Sequence, residues 1–127
     1  MARSIEGLLA RVRHPTLKRM VAFWDQKRRG RDWPLRADFD PLEFWFAVGY
    51  VSLIEVIYAP GSGARRYFFR LDGTRQVDLV GVDFTGKFLD QVADAEGTRV
   101  AEESYGAVVD QGEPAVVHSA AEPSAGD

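Results

Sequence analysis

The sequence predicts an α+β fold, and three observations carry that prediction. Two amphipathic helical patterns open the chain, and a β-branched run and an aromatic run flank a glycine turn in its middle. Short apolar segments punctuated by glycine follow. With 127 residues, 46% of them hydrophobic and 12% aromatic, the chain holds one core and has no room for a second. The absence of cysteine excludes disulfides, thiolate nucleophiles and cysteine-rich metal sites. No secretory apolar region and no bilayer-length apolar run stands out, so the expected location is cytoplasmic.

Ile5, Leu8, Leu9 and Val12 recur at helical spacing and predict an amphipathic helix over 4–13. Pro15 interrupts it, and Thr16 is the expected cap of a second helix with the stripe Leu17, Met20, Val21 and Trp24. Lys27-Arg28-Arg29-Gly30-Arg31 places cations at the negative end of that helix and a glycine to stop it. Trp33-Pro34-Leu35 is extended, because proline disfavours helical backbone in the residue before it. Asp40, Pro41 and Glu43 form a helix-start pattern, with Asp38 a short step from Arg36. Phe44-Trp45-Phe46 then predicts an apolar helical turn that Gly49 ends.

Val51–Tyr58 is a β-branched strand, Pro60-Gly61-Ser62-Gly63 a turn, and Arg66–Leu71 the returning strand of an antiparallel hairpin. Gly73 breaks that strand, and Thr74 caps a short helix carrying Val77, Leu79 and Val80. Gly81 and Gly86 bracket a loop, at positions suited to positive φ. Asp90–Gly97 is a polar connection, and Val100–Gln111 a helix with Val100, Tyr105, Val108 and Val109 inward, weakened by Gly106. A short strand, Ala115–His118, and a disordered tail, Ala120–Asp127, complete the reading.

Taken together these residues resemble a PAS domain, of a bacterial subfamily of small, largely stand-alone PAS proteins. The resemblance rests on Trp24, Arg29-Gly30-Arg31, Pro34, Arg36, Asp38 and Asp40-Pro41-Leu42, then on Ser52–Val56. It continues through Arg70-Leu71, Gly73-Thr74, Val77, Leu79, Gly81 and Asp83-Phe84-Thr85-Gly86-Lys87. It covers about residues 16–117, with Trp45-Phe46 and Gly49 standing where relatives more often carry Pro-Arg and Pro. It implies an antiparallel sheet with short helices on one face, preceded by N-terminal amphipathic helices. It divides the chain into an N-terminal extension over 1–15, a PAS-like domain over 16–119 and a tail over 120–127. The last two strands of the family sheet are missing from this reading, so the sheet is expected to be incomplete, truncated or completed by another chain.

The resemblance implies a non-catalytic sensory or regulatory module that binds a small ligand or makes protein–protein contacts. The pocket candidates are Val77, Leu79, Phe84, Phe88 and Tyr105, the cofactor is unknown, and no metal or catalytic residue is assigned. A haem type would need an axial histidine near the connecting helix and a photosensory flavin type a reactive cysteine, so both are argued against. Expected partners are a second copy through the N-terminal helices and a separate signalling protein, with no membrane.

Two rival readings stay open. Residues 1–36 carry ten Lys/Arg against three Asp/Glu, and residues 37–127 six against sixteen, which together give the net charge of −3. The basic front end makes Lys18, Arg19, Lys27, Arg28, Arg29 and Arg31 candidates for nucleic-acid binding, but no base-reading motif accompanies the charge, so solvated helix faces, or pairing with the acidic half within the fold or across a dimer, are the favoured explanation. The other rival is a non-functional truncated relic. Gly81–Lys87 also fits seven positions of a phosphate-binding loop, but Phe88 stands where the metal-holding hydroxyl belongs. Neither His14 nor His118 has a partner set for a triad or a metal.

Overall fold

The computed structural model describes residues 4–117. They fall into two compact units, 4–48 with 104–117, and 49–103.

The first unit is helical. Helix α1, Glu6–Arg11, is followed by α2, Pro15–Arg28. The expected break falls over 12–14, and Pro15 is the first residue of α2, where the N–H that proline lacks has no helical partner to lose. The expected cap Thr16 gives way to His14, whose Nδ1 accepts the Thr16 N–H at 3.1 Å. At the other end Arg29 adopts left-handed backbone with φ 52°, and Gly30 follows at φ 79°. The Arg31 guanidinium then donates to the carbonyls of Arg28 and Lys27, at 2.9 and 3.2 Å, closing the C-terminus with a cation.

A 3₁₀ turn at Arg36–Asp38 leads to the aromatic core. Asp38 pairs with Arg31 at 2.6 Å, not with Arg36, whose guanidinium donates to the Phe39 carbonyl at 3.2 Å. The expected helix start at Asp40 is a turn. The Asp40 carboxylate accepts the Leu42 N–H and its carbonyl accepts the Glu43 N–H, closing the backbone within four residues. Regular structure resumes as a 3₁₀ helix over Trp45–Tyr50, which passes through Gly49 instead of ending there. Phe44 is fully enclosed, with ring centroids of Phe23 and Phe39 at 5.8 and 6.3 Å. Tilted and edge-on geometry at those separations is the favourable aromatic arrangement.

The second unit is built on strands β1, Leu53–Tyr58, and β2, Arg65–Leu71, paired antiparallel as the only sheet among the described residues. Val56 faces Tyr67 and Ile54 faces Phe69, with an irregularity between Leu53 and Ile54. Alternation puts Tyr67 and Phe69, both nearly buried, on one face of β2 and Arg66, Phe68 and Arg70 on the other. Helix α3, Thr74–Val80, has Gly73 as its N-cap, with Thr74 its first residue, and stops at Gly81 with φ 89°. Gly86 also has positive φ, 78°, as the bracketing glycines predict.

Two expectations in the following stretch are corrected. The polar connection over 90–97 is largely helical: α4 spans Leu89–Val92, and α5 begins at Ala95 and runs to Gln111. The Asp94 carboxylate accepts the Gly97 N–H at 2.7 Å and so meets one of the unpaired donors of the α5 N-terminus. Of the expected inner residues of α5, Val100 and Val108 are exposed and Tyr105 and Val109 half-buried, while the buried position is Gly106. The glycine that argued against the helix is thus where the helix lacks a side chain and is covered.

Residues 115–117 form no strand. Gly112, with φ 65°, and Pro114 turn the chain out of α5, and the Val116 carbonyl accepts from the Arg11 guanidinium at 3.3 Å. The segment is held by α1 rather than by a sheet edge. His118 and the tail over 120–127 lie outside the described residues.

Candidate functional site

The residues carrying the family resemblance converge on one carboxylate in the hairpin unit. Asp72 follows β2, and its Oδ1 accepts the Ser52 hydroxyl at 2.8 Å while its Oδ2 accepts the Phe84 N–H at 3.1 Å. The Asp72 N–H donates to the Thr85 hydroxyl at 3.0 Å. One side chain therefore ties the entry to β1, the exit from β2 and the glycine-bracketed loop. Gly73 sits inside this clasp: a Cβ there would stand 2.6 Å from the Gly49 carbonyl oxygen and 2.8 Å from that of Val51. The glycine is required by this close approach and not by its φ of −64°, which any residue adopts.

The same clasp decides the phosphate-loop reading. A phosphate cradle needs successive backbone N–H groups free to point at the anion. Here the N–H of Phe84 goes to Asp72, that of Thr85 to Asp83, that of Gly86 to the Phe69 carbonyl and that of Lys87 to the Phe84 carbonyl. Four consecutive donors are used within the fold. The N–H and hydroxyl of Thr85, with Lys87 nearby, hold the Asp83 carboxyl below the usual carboxylate range.

Among the pocket candidates of the hairpin unit, Phe84 and Phe88 lie against opposite faces of β2. Phe84 is buried and packs on Phe69, centroids 5.0 Å apart, on one face of β2. Phe88 meets Phe68 edge-on at 5.0 Å on the opposite face, under the Arg66 guanidinium at 3.8 Å. Val77 is half-buried in α3 and Leu79 is 56% exposed. Tyr105, half-buried in α5, belongs to the other compact unit.

The face around Phe88 is an electrostatic latch. Arg66 donates to both Asp90 oxygens, at 2.6 and 2.9 Å, and Arg70 pairs with Glu55 across the hairpin while lying over Phe68. Hydrogen bonding to Arg66 lowers the Asp90 pKa, and Asp90 in turn raises that of Arg66. A carboxylate lowered on folding adds stability above its unfolded pKa and loses it as pH falls through the folded value. The exposure of this pair keeps its contribution small.

The helical unit carries the cavities with apolar walls. A groove of about 510 Å³ is lined by Leu8 and Val12, by Leu17, Met20 and Trp24 of α2, and by Val116. A second hollow of about 360 Å³ lies between Trp24, Trp33, Val108 and Pro114. Neither was legible as a pocket, because the stripe of α2 and the end of α5 lie far apart in the chain.

Much of the basic front end is paired inside the same unit. Lys27 bonds Glu43 at 2.6 Å, Arg28 bonds Asp25 at 2.7 Å, and Arg19 lies 3.9 Å from the Phe46 ring centroid. Arg28 is buried although charged. Asp38 is held low first by the Leu35 N–H and then by Arg31. Lys27, Arg28 and Arg31 of the basic front end are thus each paired with a carboxylate inside the unit.

Among the described residues no cluster of His, Cys, Asp and Glu side chains is arranged to hold a metal ion, and no helix is long and apolar enough to cross a membrane.

A two-stranded antiparallel hairpin clasped to glycine-bounded loops in one unit, and helices α1 and α2 in the other, make this an α+β chain. The family model described as PAS domain matches residues 12–127, and the chain belongs to that family. No curated protein and no solved structure gave a significant match.

Proposed function

We propose that this chain is a sensory or regulatory module that acts by binding and not by catalysis. Family membership supports the general role. The observation that carries the binding mode is the apolar groove of the helical unit, with Leu17 still 39% exposed in its wall. A stripe at helical spacing, half-covered by its own domain, suits the helix-in-groove mode, and a second copy of the chain brings the same stripe. The module therefore pairs through α1 and α2, and a separate protein receives the signal. A small ligand in a pocket of the family type, near Val77, Phe84 or Phe88, is the alternative way of setting the same state.

Sedimentation velocity tests the pairing. The wild-type chain is expected to sediment as a dimer at micromolar concentration. Leu17→Glu, which puts a charge on an exposed position of the groove, is expected to weaken association at least about tenfold, since one buried unpaired charge costs several kcal/mol. Its far-UV circular dichroism should stay unchanged. A wild-type monomer, or a variant that dimerises equally well, would remove the groove from the account.

A further inference from the structure

We infer that the outer edge of β1 pairs with β1 of a second copy of the chain, antiparallel about a two-fold axis at Val56, making a four-stranded sheet across two molecules. This goes beyond the groove of the helical unit and rests on none of its residues.

The hairpin closes one of its edges and leaves the other open. On the β2 side, Phe69 donates its N–H to the Lys87 carbonyl at 3.0 Å, and its own carbonyl accepts the Gly86 N–H at 2.8 Å. A residue that bonds outward with both groups makes no ladder bond to its cross-strand neighbour, here Ile54. Alternation then turns the N–H and C=O groups of Ile54, Val56 and Tyr58 away from β2. The Ala59 N–H, which donates to the Ala64 carbonyl at 2.8 Å, agrees with that phase. Among the described residues β2 is the one strand beside β1, and no backbone hydrogen bond reaches this outer row.

The open edge is also apolar. Four of the six residues of β1 are aliphatic, yet none of the six is buried. Exposed edges are ordinarily blunted by a lysine, a proline or a bulge within the strand. From Ile54 to Tyr58 there is none of these, since the irregularity falls before Ile54 and Pro60 follows the strand. The single charge, Glu55, is drawn across the hairpin to Arg70.

A second copy carries the same unblocked row, so one pairing satisfies both edges and closes on itself. Outward-bonding residues pair only with outward-bonding residues, which leaves 55, 56 or 57 at the axis of a useful overlap. An axis at Glu55 sets two carboxylates directly opposite, a destabilising pair. An axis at Ile57 puts Ile54 opposite Pro60, which has no N–H to give. The axis at Val56 pairs Val56 with Val56, Ile54 with Tyr58 and Glu55 with Ile57. It uses all three outward residues of each strand, opposes no like charges, and sets an aromatic against a β-branched side chain.

The chain has no cysteine, so single cysteines report the pairing by cross-linking with diamide. Two residues at 56 stand about 5.5 Å apart between Cα atoms, within disulfide reach, whereas two at 54 are roughly 14 Å apart. Val56→Cys is expected to form a covalent dimer at least about tenfold faster than Ile54→Cys, at equal concentration and unchanged melting temperature. A mixture of Ile54→Cys and Tyr58→Cys chains is expected to link as fast as Val56→Cys, and it reads the register even where Val56→Cys fails to fold. Val56→Cys linking no faster than Ile54→Cys, or a mixture as slow as Ile54→Cys alone, would overturn the inference. An edge covered by residues 118–127 or by a different protein gives that same negative result. Position-dependent linking reads this edge alone, so it stands or falls separately from the groove tested by Leu17→Glu.

Discussion

Replacing Phe44 by alanine is expected to lower stability by about 3–5 kcal/mol, the range for truncating a buried aromatic side chain. Phe44 is the largest side chain with no exposure, and three edge-on or tilted ring contacts join it, Phe39 and Phe46 to Phe23. Truncation removes both the transfer term and the contacts of that cluster, and rings held by one another cannot collapse fully into the void. Trp45, one residue along and 70% exposed, provides the control: Trp45→Ala should cost well under half as much. Urea denaturation followed by circular dichroism gives both values. A Phe44→Ala loss no larger than that of Trp45→Ala would show that the core is elsewhere.

Gly73→Ala is expected to cost about 3 kcal/mol, the upper end for overpacking. The added methyl would stand 2.6 Å from the Gly49 carbonyl oxygen and 3.0 Å from its carbon, and both are backbone atoms that no rotamer change moves away. Relief therefore requires shifting the chain before β1, which also carries Ser52 and its bonds to Asp72 and Gly73. Gly7→Ala is the matched control, since a Cβ there meets nothing within 4 Å and α1 gains helix propensity. It should be neutral or stabilising. If Gly73→Ala is as mild as Gly7→Ala, the clasp at Asp72 does not constrain the hairpin.

What the sequence made legible is what local pattern encodes. The hairpin follows from β-branched and aromatic runs around a Pro-Gly turn, and the left-handed glycines at 81 and 86 follow from their bracketing positions. The errors arose where one local signal serves two geometries. Asp40-Pro41-Leu42-Glu43 satisfies its backbone as a turn just as it would at a helix start, so the local pattern alone does not separate the two. His14 caps α2 although an imidazole nitrogen is a rarer acceptor for a helix N-terminus than a hydroxyl or carboxylate, so residue type points to Thr16 instead. The helix through Gly106 and the irregular path of 115–117 depend on what covers them, which periodicity does not report.

The site was less legible than the fold. Asp72 draws its partners from 20 residues before and 12 after, so no spacing rule picks it out from other turn aspartates. A hint was present in the sequence, in a serine opening one strand and an aspartate closing its partner. Phe84 and Phe88 looked equivalent as apolar anchors, yet the structure sets them against neighbouring β2 residues that point to opposite faces. Trp24 and Trp33 meet the end of α5 only through the tertiary fold.

Native mass spectrometry of the protein purified from its own host tests the central claim, that this chain works by binding, most directly. One spectrum reads oligomeric state and any retained small molecule together. The account predicts a dimer, with or without added non-covalent mass. A monomer of bare polypeptide mass would contradict it.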